Sequence, residues 1–126
     1  MIKSGQILQE TLFAHLASNE PLAAHFAPMM DKARAMPFFS FDALQSTMRD
    51  KVLNLVAHEI EFSVWSPVQS PKDAAVLTAD VLAQFETLPT TQAITIIRFE
   101  AETITAAVDN AARAWRTQIT FTALTQ

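Results

Sequence analysis

Three histidines, His15, His25 and His58, are the only imidazoles in the chain, so they are the first side chains to test for acid–base or metal chemistry. Asp31 follows His25 by six residues, and Glu59 follows His58 directly. A histidine beside a carboxylate can move a proton or share a metal ion. A small α+β hydrolase or isomerase that uses a histidine with Asp31 or Glu59 is therefore one interpretation.

The spacing of these residues argues against such chemistry. His15 falls on the apolar stripe of a predicted helix, where a core or boundary position is the commoner role. The six-residue step from His25 to Asp31 fits no metal motif. His58 and Glu59 are neighbours on a predicted strand, so their side chains point to opposite faces. We expect no catalytic, metal or cofactor-binding residues.

Other reactive groups are scarce. The pairs Glu59/Glu61 and Glu100/Glu102 read as solvated strand faces, with Arg98 as an electrostatic partner. The single glycine, Gly5, cannot supply a phosphate-binding loop, and the absence of cysteine removes thiolate chemistry. A module that binds a small apolar ligand between sheet and helices remains a further alternative.

Composition narrows the class of protein. The chain has 126 residues, of which 50% are apolar and 17% charged, and we assign residues 1–126 to one domain. The formal net charge of −4 argues against direct, sequence-specific nucleic-acid binding. We expect no signal peptide, because polar residues at 9–11 and 15 interrupt the N-terminal apolar positions. We expect no membrane contact, because no apolar run reaches eighteen residues.

The N-terminal third predicts a helix and then a strand. A helical stripe, with Ser4 as its cap, ends before Pro21. Its members are Ile7, Leu8, Thr11, Leu12, His15 and Leu16. From Pro37 the period changes to two, which predicts a strand with Phe38 and Phe39 on opposite faces.

A polar stretch between Gln45 and Leu55 predicts a long hairpin loop. Its mixed charge and its length suit a contact arm. The candidate partner-contact residues are Met48, Arg49, Asp50, Lys51 and Val52. A second strand over 57–66 follows the loop, with Ile60, Phe62 and Val64 on its apolar face.

The second helix has the clearest signals. Ser70 is placed at its N-cap, Pro71 at its first position and Asp73 in its first turn. Its apolar stripe is Ala74, Leu77, Val81, Phe85 and Leu88, and Pro89 ends it.

Two strands are predicted to close the chain. They cover 94–104 and 115–123, and Asp109-Asn110 is predicted to make the tight turn between them. The order αββαββ predicts an α+β, two-layer sandwich in which one four-stranded, mostly antiparallel sheet carries two main helices on one face.

Because half of the residues are apolar, we expect part of the sheet to carry apolar side chains that the helices cannot cover. Exposed apolar patches of this kind mark sites where partners bind. The candidates are Phe38, Leu44, Val52, Leu53, Leu55, Trp65, Ile96 and Ile104.

Several segments, in order along nearly the whole chain, resemble the tail-completion or tail-terminator proteins of long-tailed phages and gene transfer agents. The strand Glu61-Phe62-Ser63-Val64-Trp65-Ser66-Pro67, followed by a capped helix, is the most specific of them. The others lie at 8–16, 21–24, 30–31, 37–41, 74–82, 97–102 and 115–123. The chain departs from the family in having Ala27-Pro28, Ala33-Arg34 and Ala43-Leu44 where members tend to carry glycine or Ala-Pro.

The resemblance implies a structural particle protein that forms a ring of six copies. Such a ring would cap the tail tube, end its polymerisation and join it to the head connector or stopper protein. The implied location is the bacterial cytoplasm during assembly and then the tail of the particle. The resemblance also implies a core at Leu12, Phe62, Val64, Trp65, Leu77, Val81, Phe99 and Phe121.

Overall fold

The computed structural model describes residues 3–87 and 91–126. Within these residues there are three helices: α1 (Ser4–Ala17), α2 (Glu20–Ala23) and α3 (Pro71–Gln84). The strands are β1 (Phe26–Ala27), β2 (Phe38–Asp50), β3 (Leu55–Pro67), β4 (Ile96–Asp109) and β5 (Ala114–Thr125). They form a five-stranded sheet in the order β1-β2-β3-β5-β4.

The expectation of four strands is wrong by one, because β1 adds a short parallel pairing at the edge. Phe26 lies opposite Phe39, and Ala27 lies opposite Ser40. A two-residue strand has no alternation of its own, so the period-two signal is missing from the sequence. The other four strands are antiparallel to their neighbours, as expected.

The predicted hairpin loop between Gln45 and Leu55 is wrong. β2 continues to Asp50, and only residues 51–54 make the turn. Gln45, Thr47 and Met48 pair with β3 residues across the ladder, so a polar run that looks like a loop forms a regular strand once β3 lies beside it. Asn54 takes a positive φ of 54° in this turn.

The turn between β4 and β5 also differs from the expectation. It spans residues 110–113, and the residue with positive φ (53°) is Arg113 and not Asp109 or Asn110. Asp109 closes the turn through its side chain, which accepts a hydrogen bond from the Ala112 amide at 2.9 Å.

Both long helices begin close to the predicted positions, but neither start is capped by a serine side chain. Lys3 and Ser70 stand at the two N-cap positions, and neither makes a side-chain cap hydrogen bond. Ser4, the predicted cap, lies inside α1. α3 ends at Gln84, with Phe85 at its C-cap, so the prediction that the helix continues to Leu88 is wrong. Leu88 and Pro89 themselves lie outside the described residues.

The main core lies between the sheet and the two long helices. Leu8, Leu12 and Leu16 of α1 and Leu77 and Val81 of α3 share it with one face of the sheet, which we call the helix face. The sheet contributes Phe39, Ile60, Phe62, Val64, Phe99, Ile119, Phe121 and Ala123. The other side of the sheet is called the open face.

A second, smaller cluster lies on the open face. Phe38 and Trp65 stack there with ring centroids 6.5 Å apart. Ala27 and Ala114 complete the cluster, and Met30, Met36 and Ala112 pack against it. Phe38 and Trp65 therefore do lie beyond the reach of the helices, but the expectation that they are uncovered is wrong, because connecting segments bury them.

Candidate functional site

Each histidine ring is held by a neutral group. His15 Nε2 lies 2.7 Å from the Gln84 carbonyl oxygen, and His25 Nδ1 lies 2.9 Å from that of Pro37. Asp31 instead accepts a hydrogen bond from the Ala33 amide, which closes a local turn. No hydrogen bond or ion pair joins a histidine to a carboxylate within residues 3–87 and 91–126.

His58 is the most enclosed of the three. Its Nδ1 lies 2.7 Å from Ser46 Oγ and its Nε2 lies 2.8 Å from Thr125 Oγ1, so the ring joins β2, β3 and β5 on the helix face. Burial lowers the pKa of His58, because a charged imidazolium would lose its water. Glu59 is exposed on the open face, as the alternation predicts.

The structure places a polar network on the open face that the sequence did not reveal. Arg116 Nε donates to Ser63 Oγ at 2.8 Å, and its Nη2 donates to Asp42 Oδ2 at 3.2 Å. Ser63 Oγ also donates to Asp42. The Arg116 guanidinium lies over the Trp65 ring, 5.1 Å from its centroid.

The network continues into the Phe38–Trp65 cluster. Trp65 Nε1 donates to Ser40 Oγ at 3.0 Å, and Ser40 Oγ donates to Asp42 Oδ1 at 2.9 Å. Asp42 occupies a β-bulge, since the register shifts between Phe41 and Ala43. Ser40, Ser63 and Arg116 all donate to Asp42, so the arrangement ties together β2, β3 and β5.

The candidate partner-contact residues form the end of the β2–β3 hairpin. Met48, Arg49 and Asp50 are the last residues of β2, and Lys51 and Val52 begin the turn. Asp50 accepts hydrogen bonds from the Val52 and Leu53 amides at 2.9 and 3.1 Å, which gives the turn a defined shape. Val52 is 93% exposed and Leu53 is 52% exposed, so this hairpin tip, residues 51–54, presents apolar side chains to solvent.

The eight residues assigned to the core by the resemblance are all buried. Seven of them lie in the main core, and Trp65 lies in the smaller cluster on the open face. Ile104 is 48% exposed and, with the hairpin tip, belongs to the apolar area that the helices leave uncovered.

A groove of about 580 Å³ lies between α2 and α3. Leu22, His25, Pro37, Val76 and Leu77 line it together with the carboxylates of Asp73 and Asp80. It is open to solvent and lies outside the layer between helices and sheet, so it differs from the internal cavity that a small-ligand module would need.

Residues 3–87 and 91–126 hold no group of three or more histidine and acidic side chains arranged to bind a metal ion. Within the same residues, the helices are too short or too polar to cross a lipid bilayer.

Solved structures include a chain with the same fold. A chain from the virion of a native gene transfer agent particle matches with a TM-score of 0.68 over 94% of this chain and 93% of that chain. The two share a fold. Their sequence identity is 18%, which supports no statement beyond the fold. No family model and no curated protein matches the sequence.

Proposed function

We propose that this protein is a structural component of a phage or gene transfer agent particle, and within it the tail terminator. In this role, copies of the chain form a ring, of six by the family resemblance, on the last layer of the tail tube. The ring ends tube polymerisation and presents a surface to the head connector or stopper protein. The protein assembles in the bacterial cytoplasm and has no catalytic step of its own.

The observation that carries the proposal is the shared fold with a gene transfer agent virion chain, which extends over 94% of this protein. The sequence resemblance to tail terminators supports the same assignment through different evidence, because it rests on local motifs and not on the backbone. A structural role also agrees with the histidine contacts, since all three rings hold the fold together through neutral partners.

The hairpin tip is the proposed contact with the tail-tube protein. It lies at the end of the β2–β3 hairpin, and its exposed pair Val52 and Leu53 is flanked by Arg49, Asp50 and Lys51. An apolar centre with a charged rim is the usual anatomy of a protein interface. Burying these two side chains would remove apolar area from water without any change in the fold.

The test is loss and restoration of the protein in cells that produce the particle. Without the protein, we expect tails of uncontrolled length and heads without tails in electron micrographs, and restoration of normal tails by the wild-type chain. A double variant, Val52→Ser with Leu53→Ser, is expected to fold normally and to fail to restore tail length.

The matched control is Val76→Ser, because Val76 is 56% exposed on α3, away from the hairpin tip. Normal tail length in cells that lack the protein would overturn the proposed function. Normal tails with the double variant would remove only the hairpin tip from the contact.

A further inference from the structure

One half of β4 is exposed in a way that is unusual for a native edge strand. Every residue from 100 to 108 is exposed, on both faces of the sheet, and β5 is the neighbouring strand that holds it. Residues 103–108, Thr-Ile-Thr-Ala-Ala-Val, contain no charge and no proline, and the two bulges of β4 precede them. Charged residues, prolines and bulges normally keep a native edge strand from pairing with other strands, and residues 103–108 contain none of them.

The opposite edge of the sheet has a matching segment. Beyond its pairing with β1 at Phe39 and Ser40, β2 pairs with β3 alone among residues 3–87 and 91–126. Residues 43–48, Ala-Leu-Gln-Ser-Thr-Met, are also six uncharged residues without proline. Since β2, β3, β5 and β4 alternate in direction, β4 of one copy would run antiparallel to β2 of another.

We infer that β4 of one copy pairs with the free edge of β2 of the next copy, so that the sheet continues from copy to copy. The contact is head-to-tail, and a head-to-tail contact generates a ring when its rotation closes. The inference deepens the proposed function, on which it rests for the ring, by naming the surfaces that join the copies.

The faces of the two strands and their charges select one register. Thr103, Thr105 and Ala107 share the open face, as do Ala43, Gln45 and Thr47 on β2. Pairing Thr47 with Thr103 and Gln45 with Thr105 keeps these faces together. With Glu102 as the bulged residue, as it is against β5, Arg49 then lies opposite Glu100 and close to Glu102.

The same register places the exposed side chain of Ile104 against the next copy. Ile104 would lie opposite Ser46 of the next copy, near the start of its α1, where Gly5 packs over Ser46 and Leu44. A register two residues further in one direction would place Arg49 opposite Arg98, and two residues in the other would place it opposite Thr103. Neither alternative gives Arg49 an acidic partner directly opposite.

The stagger of this register suits a closed sheet. Within one copy, Gln45 lies level with Glu100 through Glu59 and Thr122. Between copies Glu100 meets Arg49, four residues further along β2. Four residues along a strand measure about 13 Å, and four neighbouring strands span about 19 Å across the sheet. A shift of this size tilts the strands by about 35° from the axis of the ring, a value typical of closed barrels.

The curvature of the sheet agrees with closure. A concave surface on the open face reaches from Thr47 and Arg49 of β2 to Arg98 and Glu100 of β4, three strands away. The open face would therefore line the inside of the ring, and α1 and α3 would lie outside it.

Disulfide trapping tests the contact directly, because the chain contains no cysteine. We expect Thr47→Cys combined with Thr103→Cys to give a ladder of covalent oligomers when the purified protein is oxidised at high concentration. In one copy these positions lie on opposite edges of the sheet, too far apart for a disulfide. The out-of-register control, Thr47→Cys with Ala107→Cys, is expected to give at least tenfold less cross-linked product.

Charge reversal provides a second readout of the register. Arg49→Glu and Glu100→Arg are each expected to weaken self-association several-fold, and the two together to restore it. Lys72→Glu, the same charge change at an exposed site on α3, is the control.

Absence of the oligomer ladder from the in-register pair would overturn the inference. Covalent dimers from Thr103→Cys alone would also overturn it, because they would show two-fold pairing of β4 with itself. Failure of the edge contact with normal tail termination in cells would leave the proposed function intact. A ladder of oligomers from a protein that does not control tail length would support the edge contact and overturn the proposed function.

Discussion

Arg116 Nη2 lies 3.2 Å from Asp42 Oδ2, and this ion pair joins β5 to β2, two strands that are not neighbours in the sheet. Ser63 on the strand between them contacts both partners. The side chains are 34% and 17% exposed, so the pair is partly shielded from water. A contact that spans three strands limits their relative movement and fixes the bulge at Asp42.

Arg116→Ala is expected to lower the free energy of unfolding by about 1–3 kcal/mol, because a half-buried carboxylate loses its charged partner. Urea unfolding followed by circular dichroism measures the change. Arg98→Ala is the control: the Arg98–Glu100 pair is 61% and 59% exposed, and its loss is expected to cost about 0.5 kcal/mol or less. Equal effects of the two variants would contradict the structural role of the network.

Gly5→Ala is expected to destabilise the protein, although alanine is normally the better helix residue by about 1 kcal/mol. A Cβ at this position would lie 2.6 Å from Ser46 Oγ, which is hydrogen-bonded to His58. The clash would push Ser46 away from the ring. Thermal unfolding of Gly5→Ala should show a lower Tm than the wild type.

The same substitution in a Ser46→Ala background removes the clashing oxygen. There, Gly5→Ala is expected to be neutral or stabilising relative to Ser46→Ala alone. A Tm that falls equally in both backgrounds would mean that contact with Ser46 is not the cause.

The stability of the protein is expected to fall as the pH drops below about 6.5, the ordinary pKa of histidine. Burial lowers the pKa of His58 in the folded state, so the unfolded chain takes up a proton at a higher pH than the folded one does. The contribution of His58 is present in full above pH 6.5 and is lost progressively as the pH falls through its folded pKa. Urea unfolding between pH 7.5 and 5 measures the slope, and His58→Gln should flatten it. An unchanged slope in that variant would assign the effect to other groups.

Phe99→Ala is expected to destabilise the protein by about 3 kcal/mol and to loosen β4 in particular. Phe99 is the one buried residue of β4, and its ring centroid lies 5.1 Å from the ring centroids of Phe85 and Phe121. Hydrogen exchange should therefore accelerate in residues 96–109 more than in β3. Ile104→Ala, at an exposed position of the same strand, should change the stability of the isolated chain by about 0.5 kcal/mol or less. Uniform acceleration across the sheet in Phe99→Ala would contradict this local anchoring.

The sequence by itself determined the elements with a strong local period. The stripe from Ala74 to Phe85 predicted α3, and the alternation around Ile60 and Phe121 predicted β3 and β5, because one side of each element must face the core. The same alternation separated His58 from Glu59, so the failure of a histidine–carboxylate pair at this strand was predictable without coordinates.

Only the tertiary structure decided the features that depend on partners far away in the chain. The polar end of β2 is a strand because it pairs with β3. The two residues of β1 form a strand because they pair with the edge of β2. Asp42, Ser63 and Arg116 are separated by 21 and 53 residues, and no local signal marks them as one network. The bare edges of β4 and β2 likewise became visible only with the strand order, because which strand is an edge is set by long-range pairing and not by the residues of the strand itself.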